Sequence, residues 1–235
     1  MCQIKYYEKK KDKGDEMRAI VLVSGGMDSL YTAAIAAREC EELYFLHFNY
    51  GQHTQAKEEQ SFFQIAAHYR AKEARVVDYR WLAEIGGSAL TDKGVAEKLN
   101  AQKIPNTYVP FRNATMLSAA VAWAEVLSAE RVYLGAMDED SSGYPDCRAG
   151  FIEAMNRVIR LGTCAGNISI HTPVLHLTKA DIVSRGSAEK IPFELSWSCY
   201  YAEDVACGTC PSCLLRLKAF QEAGIKDPIP YKERI

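Results

Sequence analysis

Six residues, Ser24-Gly25-Gly26-Met27-Asp28-Ser29, hold the clearest chemistry in this chain. Paired glycines open backbone conformations closed to residues with a Cβ and let a ligand approach the main chain. Successive N–H groups in such a turn form a nest for anionic oxygens, and the following helix adds its positive end. Ser24 and Ser29 can donate hydroxyl hydrogen bonds to phosphate, and Asp28 either caps the helix or helps to hold Mg²⁺. Val23 through Ser29 is therefore expected to bind the phosphates of a nucleotide. Neither GxxxxGK[ST] nor GxGxxG occurs, so this is not a Walker-type or dinucleotide-type loop. The plain alternative is a structural strand-to-helix turn, in which Ser and Asp serve as ordinary caps.

A second cluster lies near the C-terminus. Cys199, Cys207, Cys210 and Cys213 follow the pattern C-x7-C-G-x-C-x2-C, and Gly208 permits a tight turn between ligands. Four thiolates at this spacing can converge on one tetrahedral Zn²⁺, leaving no open position. The metal is then structural, pinning the tail to the core. The alternative is four free buried cysteines. No apolar h-region marks the N-terminus as secretory, so a reducing, cytoplasmic compartment is expected and disulfides are not.

The elements that position these groups follow from hydrophobic periodicity. Strands are predicted at 19–23, 43–48, 74–79, 131–136 and 168–173, with helices at 28–40, 54–70, 113–128 and 148–161 between them. Alternation of this kind predicts an α/β fold, a Rossmann-like doubly wound parallel sheet of five strands. Ligands bind such sheets beyond the carboxyl ends of the strands, which is where 24–29, 49–53, 80–112, 136–147 and 172–178 fall. The long segment 86–107 reads as a functional or mobile loop. Residues 1–17 read as a charged mobile extension, with Met17 a possible alternative start. Residues 18–195 form the nucleotide-binding domain and 196–235 a small helical zinc-binding annex. No apolar run approaches the roughly 20 residues of a membrane span. A net charge of −2, from 28 basic and 30 acidic residues, shows no basic excess for gripping a nucleic-acid backbone. A small-molecule substrate is expected.

SGGxDS after the first strand resembles the loop of the PP-loop ATP pyrophosphatase superfamily, whose members cleave ATP between the α- and β-phosphates to adenylate a substrate oxygen. Three further segments narrow the likeness: Phe48-Asn49-Tyr50-Gly51-Gln52, 105–113 (PNTYVPFRN) and 142–148 (SGYPDCR). With the loop and the cysteines, and over about residues 19–220, the set resembles the 7-cyano-7-deazaguanine synthase family of queuosine and archaeosine precursor synthesis. The resemblance implies a carbon–nitrogen ligase using ATP, Mg²⁺ and ammonia, with one structural zinc and a homodimeric state. It implies that 7-carboxy-7-deazaguanine is adenylated, converted to the amide, activated again and released as the nitrile. Because sulfur-transferring members of the superfamily carry iron–sulfur clusters, such a cluster is the rival occupant of the cysteines. A tRNA thiolase, a different amidating enzyme and a non-catalytic nucleotide-binding regulator are the rival functions.

Site roles follow from the same likeness. Tyr50, Gln52, Arg112, Asn113, Tyr144 and Asp146 are expected to contact substrate; Asp28, Arg112, Asp138 and Lys179 are expected to serve catalysis. Arg112 suits a phosphate or the substrate carboxylate, unless it is only a surface arginine at a helix start. Asp146 could read the N1–H and 2-amino edge of the base, or cap the helix after 147. Asp138 and Asp140 could lie near Mg²⁺-pyrophosphate, or be solvated. Lys179 contacts phosphate or faces solvent. Tyr144 and Phe111 stack on the base or simply pack. Cys147 is favoured as packing or substrate lining over a covalent nucleophile, and His47 as a core histidine. A role for His53 is not carried over, because a basic residue and then His are usual after Tyr-Gly-Gln in the family.

Overall fold

The computed structural model describes residues 17–92, 104–138 and 144–232. The 1–16 part of the charged extension, the 93–103 part of the long loop, and Asp140 with Ser142 and Gly143 lie outside the described residues. Met17 is part of the folded body. Its carbonyl accepts N–H bonds from Glu41 and Glu42 at 3.0 and 3.2 Å.

Strand β1 (Arg18–Leu22) leads through the glycine turn into α1 (Met27–Glu39), followed by β2 (Glu42–Asn49), α2 (Gln55–His68) and β3 (Glu73–Asp78). A short α3 (Trp81–Ile85) opens the long connection to α4 (Arg112–Leu127), β4 (Arg131–Leu134), α5 (Ala149–Gly162) and β5 (Ser169–His171). Helices α6 (Lys179–Ala188) and α7 (Pro211–Glu222) complete the order. The five strands are all parallel, in the order β3-β2-β1-β4-β5. The predicted fold class is the observed one, and element ends differ from the predicted ones by only a few residues. β4 stops at Leu134, two residues early, because Gly135 passes against the start of α1. A Cβ there would sit 3.0 Å from the Ser29 nitrogen.

Each face of the sheet carries its own core, set by the two-residue alternation of the strands. Ala19, Val21 and Phe45 point to the side covered by Leu30, Ala33, Phe62, Ile65 and Ile182. Ile20, Leu46, Val132 and Ile170 point to the side covered by Leu117, Ala120, Val121 and Ile159. The chain adds β2 and β3 on one side of β1, then crosses to add β4 and β5 on the other. That reversal makes the crevice between the ends of β1 and β4 the switch point of the sheet. The register Leu22↔Leu134 brings the ends of β1 and β4 level there, while β2 runs on past Leu46 to Asn49.

The C-terminal segment is tied down by a buried ion pair. Arg216, 1% exposed, donates to Asp227 at 2.8 and 3.0 Å, to the Ser196 hydroxyl at 2.8 Å and to the Phe193 carbonyl at 3.1 Å. With its donors spread over a carboxylate, a hydroxyl and a carbonyl, the guanidinium fixes α7 against 193–198. The cysteines sit at the near end of this arrangement, in a small cluster with Trp197, Ala206 and Ile229.

Candidate active site

The glycine turn lies at the switch point. Gly25 has φ +90°, and a Cβ there would come within 2.8 Å of the Glu58 carbonyl oxygen, so α2 packs on the loop backbone. The Gly25 carbonyl accepts the Trp197 N–H at 2.8 Å, which links the loop to the cysteine-bearing segment. Inside the turn the Gly26 N–H donates to Ser24 Oγ at 3.3 Å, Ser24 Oγ lies 3.2 Å from Ser29 Oγ, and Ser29 Oγ donates to the Gly26 carbonyl at 2.9 Å. Gly26 is the N-cap of α1 and no side chain caps that helix. Its first-turn amides are therefore left for an anion.

Asp28 does not cap α1, which corrects one of the two sequence readings. Its carboxylate instead receives Lys179 Nζ at 2.8 and 3.1 Å, across a separation of 151 residues. Lys179 is the first residue of α6, whose start is held by a capping box between Thr178 and Asp181. Asp28, Lys179 and the open end of α1 thus form one charged corner.

A cavity of about 330 Å³ opens from that corner, a size suited to a small ligand. Its floor is the loop and the ends of β1, β2 and β4. Arg112, Asn113 and Met116 of α4 form a second wall with Tyr144 and Cys147; Trp197, Ser198 and Tyr200 close a third beside the cysteines. Of the residues expected from sequence, Val23, Ser24, Gly26, Met27, Asp28, Ser29, Tyr50, Arg112, Asn113, Tyr144, Cys147 and Lys179 line this one space.

Arg112 donates from Nη1 to the Tyr50 hydroxyl at 2.9 Å, with its guanidinium 5.0 Å from the centre of that ring. It is half-buried at the cavity wall, not a surface arginine. Burial works against its charge, but Tyr50, Tyr144, Asp146 and Cys147 around it favour the charged form more strongly. Burial pushes the Tyr50 phenol up to about 12, so it stays a neutral partner. Burial likewise lifts the Cys147 thiol to about 11, with Asp146 adding to the effect. A thiol so held is a poor nucleophile at neutral pH. Cys147 Sγ instead lies 3.2 Å from Asn113 Nδ2, as a lining group.

Other expected residues stand behind the wall. Asp146 is 3% exposed; its Oδ2 accepts the Asn113 N–H at 2.9 Å, so it caps the start of α4 and not the helix after 147. Its buried Oδ1 has no donor among the described residues, and burial raises its pKa. Gln52 is 6% exposed and its amide is spent internally: Oε1 takes the Tyr50 N–H at 2.9 Å, and Nε2 reaches Phe48 O and Glu58 Oε2 at 3.3 and 3.1 Å. Asp138 sits beyond β4 with its N–H on the Leu175 carbonyl at 2.8 Å, outside the lining. Phe111 is 60% exposed, its ring 6.3 Å from Phe151, and does not line the cavity. The Tyr144 hydroxyl is 2.7 Å from Thr107 Oγ1. His47 is a core histidine as read, bonded to the Val23 carbonyl at 2.8 Å and stacked on Phe62, although one edge reaches the floor.

Sequence reasoning missed Glu58. This first-turn residue of α2 lines the cavity, accepts from Thr54 Oγ1 at 3.0 Å and Gln52 Nε2 at 3.1 Å, and is raised to about 7 by burial against those bonds. The signal was present as Gln52-x-Thr54-x3-Glu58, two donors placed to meet one helical carboxylate.

The four cysteines converge. Their sulfurs all lie within 4.8 Å of one another, and Cys207 Sγ is 3.9 Å from Cys213 Sγ, near the separation of about 3.8 Å that bonds of ~2.3 Å to a tetrahedral ion require. Backbone N–H groups of Ala202, Cys207, Thr209, Cys210 and Cys213 point at the sulfurs at 3.3–3.5 Å. Such donors favour thiolates, so the set fits a metal ion. The same segment touches the active-site side twice, through Trp197 N–H on Gly25 and through Thr54 Oγ1, 3.3 Å from the Cys199 carbonyl.

A glycine turn with an open helix end at the switch point of a parallel sheet, facing a charged cavity, defines an α/β protein whose first loop resembles that of the PP-loop enzymes. A family model described as queuosine biosynthesis protein QueC matches residues 18–224, and the chain belongs to that family. Among its relatives is a protein of Chloroherpeton thalassium named 7-cyano-7-deazaguanine synthase, 53% identical over 222 residues that cover 93% of this chain and 98% of the relative. Relatives of the same name from Chlorobium luteolum and Koribacter versatilis are 54% and 49% identical, covering 93% and 96% of this chain and 98% of each relative. No helix among the described residues is long and apolar enough to cross a membrane.

Proposed function

We propose that this chain is a carbon–nitrogen ligase that converts 7-carboxy-7-deazaguanine and ammonia to 7-cyano-7-deazaguanine with ATP. The observation that carries the reading is the joining of two unlike walls in one cavity: an open α1 terminus with Asp28 and Lys179, facing Arg112, Tyr50, Asn113 and Cys147. The first suits pyrophosphate, the second a planar acid. The relatives' shared name supplies the product.

In this reading the loop amides and Ser24 hold the β,γ-phosphates, so pyrophosphate is the leaving group and the α-phosphorus meets the substrate oxygen. Lys179 stabilises charge developing on the phosphates, exchanging part of its contact with Asp28 for them. Asp28, released from the lysine, would supply a carboxylate for Mg²⁺, with Asp138, beyond β4, the other candidate. Arg112 holds the substrate carboxylate, pre-set by Tyr50 against rotation. Asn113 and Tyr144 serve the base edge, Asp146 holds Asn113 from behind the wall, and Gln52 acts at one remove by fixing Glu58. Neutral Cys147 lines the site, because adenylation supplies the activation that a thiolate would otherwise provide. The cysteine site suits one structural Zn²⁺: sulfurs this close surround a single ion and not a cluster in which each cysteine takes a different iron. A homodimer acting in the cytoplasm, with no direct contact to nucleic acid, completes the proposal.

The test is incubation of metal-replete protein with 7-carboxy-7-deazaguanine, ammonium and Mg-ATP. Mass spectrometry is expected to show the amide and then the nitrile, with AMP as coproduct. An acid left unconsumed would overturn the reading.

A further inference from the structure

Within the proposed reaction, one requirement has no residue assigned to it. Ammonia exists at neutral pH almost wholly as ammonium, which has no lone pair with which to attack an acyl adenylate. We propose that Glu58 is the general base that takes the proton from ammonium at the cavity wall.

The inference rests on the proposed function and on three features of the site. Glu58 lines the same cavity as Arg112, Cys147 and the phosphate loop. Its two oxygens are fixed separately, Oε1 by Thr54 Oγ1 at 3.0 Å and Oε2 by Gln52 Nε2 at 3.1 Å. Gln52 is itself locked by the Tyr50 N–H at 2.9 Å, so the Tyr50-Gly51-Gln52 turn acts as a bracket for this carboxylate. Each carboxylate oxygen has more than one lone-pair site, so capacity to accept is left on the cavity side. A negative group at this wall is also what attracts a small cation, where Asp28 is paired with Lys179 and Arg112 adds a further positive charge.

The charge balance suits the task. The titratable groups facing Glu58 are Tyr50, Arg112 from α4 and Glu203 from the cysteine-bearing segment. Burial raises Glu58 to about 7, with Arg112 and the two hydrogen bonds opposing and Glu203 assisting. A base poised there is about half ionised at neutral pH and strong enough to compete for the proton.

The step balances as follows. One ammonium N–H bond breaks and its proton passes to a Glu58 oxygen. The freed nitrogen pair forms the C–N bond, the C–O bond to AMP breaks with its electron pair leaving on AMP, and the second excess proton goes to solvent.

The test separates activation from capture. With 7-carboxy-7-deazaguanine and Mg-ATP, Glu58→Gln is expected to keep pyrophosphate–ATP exchange within about 3-fold of wild type and to lose about 100-fold or more in amide formation from ammonium. Hydroxylamine, uncharged at neutral pH, is expected to restore capture as the hydroxamate. In the wild type, amide formation at fixed total ammonium rises through an inflection near the Glu58 titration, and the variant follows free ammonia alone. Thr54→Val, which removes one donor to the carboxylate, is expected to move that inflection to higher pH. Amide formation by Glu58→Gln at the wild-type rate, equal loss of exchange and both captures, or an inflection unmoved in Thr54→Val would each overturn the proposal. Absence of exchange in the wild type would instead overturn the proposed function on which it rests.

Discussion

At the residue scale the site is a set of charges whose partners lie far apart in sequence. Asp28 and Lys179 meet at 2.8 Å, each less than a third exposed, so the pair is more than a surface ion pair yet reachable by a ligand. Lys179→Met removes the cation and leaves Asp28 facing incoming phosphate. Pyrophosphate–ATP exchange is expected to fall by about 10²–10³, with unchanged metal content, as for loss of one electrostatic stabiliser. A drop of less than about 3-fold in that exchange would mean that Lys179 only holds α6 in place. The hexapeptide was legible because its neighbours in sequence are its neighbours in space. Lys179 was only partly so: the sequence placed it at a helix start and left phosphate or solvent open. For Asp146 the capping alternative named the wrong helix, because its partner, the Asn113 N–H, lies 33 residues upstream. Glu58 went unread because a carboxylate in a charged helical stretch, Ala56-Lys57-Glu58-Glu59, looks like a solvated face until Gln52 and Thr54 fold onto it.

At the element scale, the strands and four main helices were legible from periodicity, since a parallel sheet buried on both sides needs apolar runs such as 19–23. Short α3, five residues at Trp81–Ile85, is too short for helical periodicity to show and lies just before the polar stretch 86–107. Helix α7 begins at Pro211, between Cys210 and Cys213, so the cysteine pattern hid the helix. That helix carries Arg216, whose ion pair with Asp227 has side chains 1% and 4% exposed. Arg216→Ala would leave Asp227 buried without its cation. A loss of about 3–5 kcal/mol in denaturant unfolding is expected, and Arg216→Met with Asp227→Leu is expected to recover much of it. A single-variant loss under about 1 kcal/mol would show the pair to be dispensable.

At the scale of the whole molecule, the cysteine-bearing segment and the glycine loop form one structure. Trp197 N–H on the Gly25 carbonyl at 2.8 Å, and Thr54 against the Cys199 carbonyl at 3.3 Å, carry the position of the cysteines to the loop and to the Glu58 bracket. Removing the metal with a chelator is therefore expected to abolish pyrophosphate exchange together with amide formation, and readdition of zinc to restore both. Metal-free protein with full exchange would confine the metal to a local fold of the tail. The resemblance of about residues 19–220 to the 7-cyano-7-deazaguanine synthase family was legible from five motifs, because family likeness is spread along the chain. Their division into gripping, bracing and lining parts was not, since that depends on which side of a wall each side chain occupies.

The central claim is that ATP adenylates the substrate at its carboxylate oxygens in the cavity between the loop and Arg112. It is tested most directly with 7-carboxy-7-deazaguanine carrying ¹⁸O in both carboxylate oxygens. Both labels are predicted to leave in AMP, one in each of two AMP molecules per nitrile. Label appearing in inorganic phosphate, or nitrile formed with unlabelled AMP, would contradict the account.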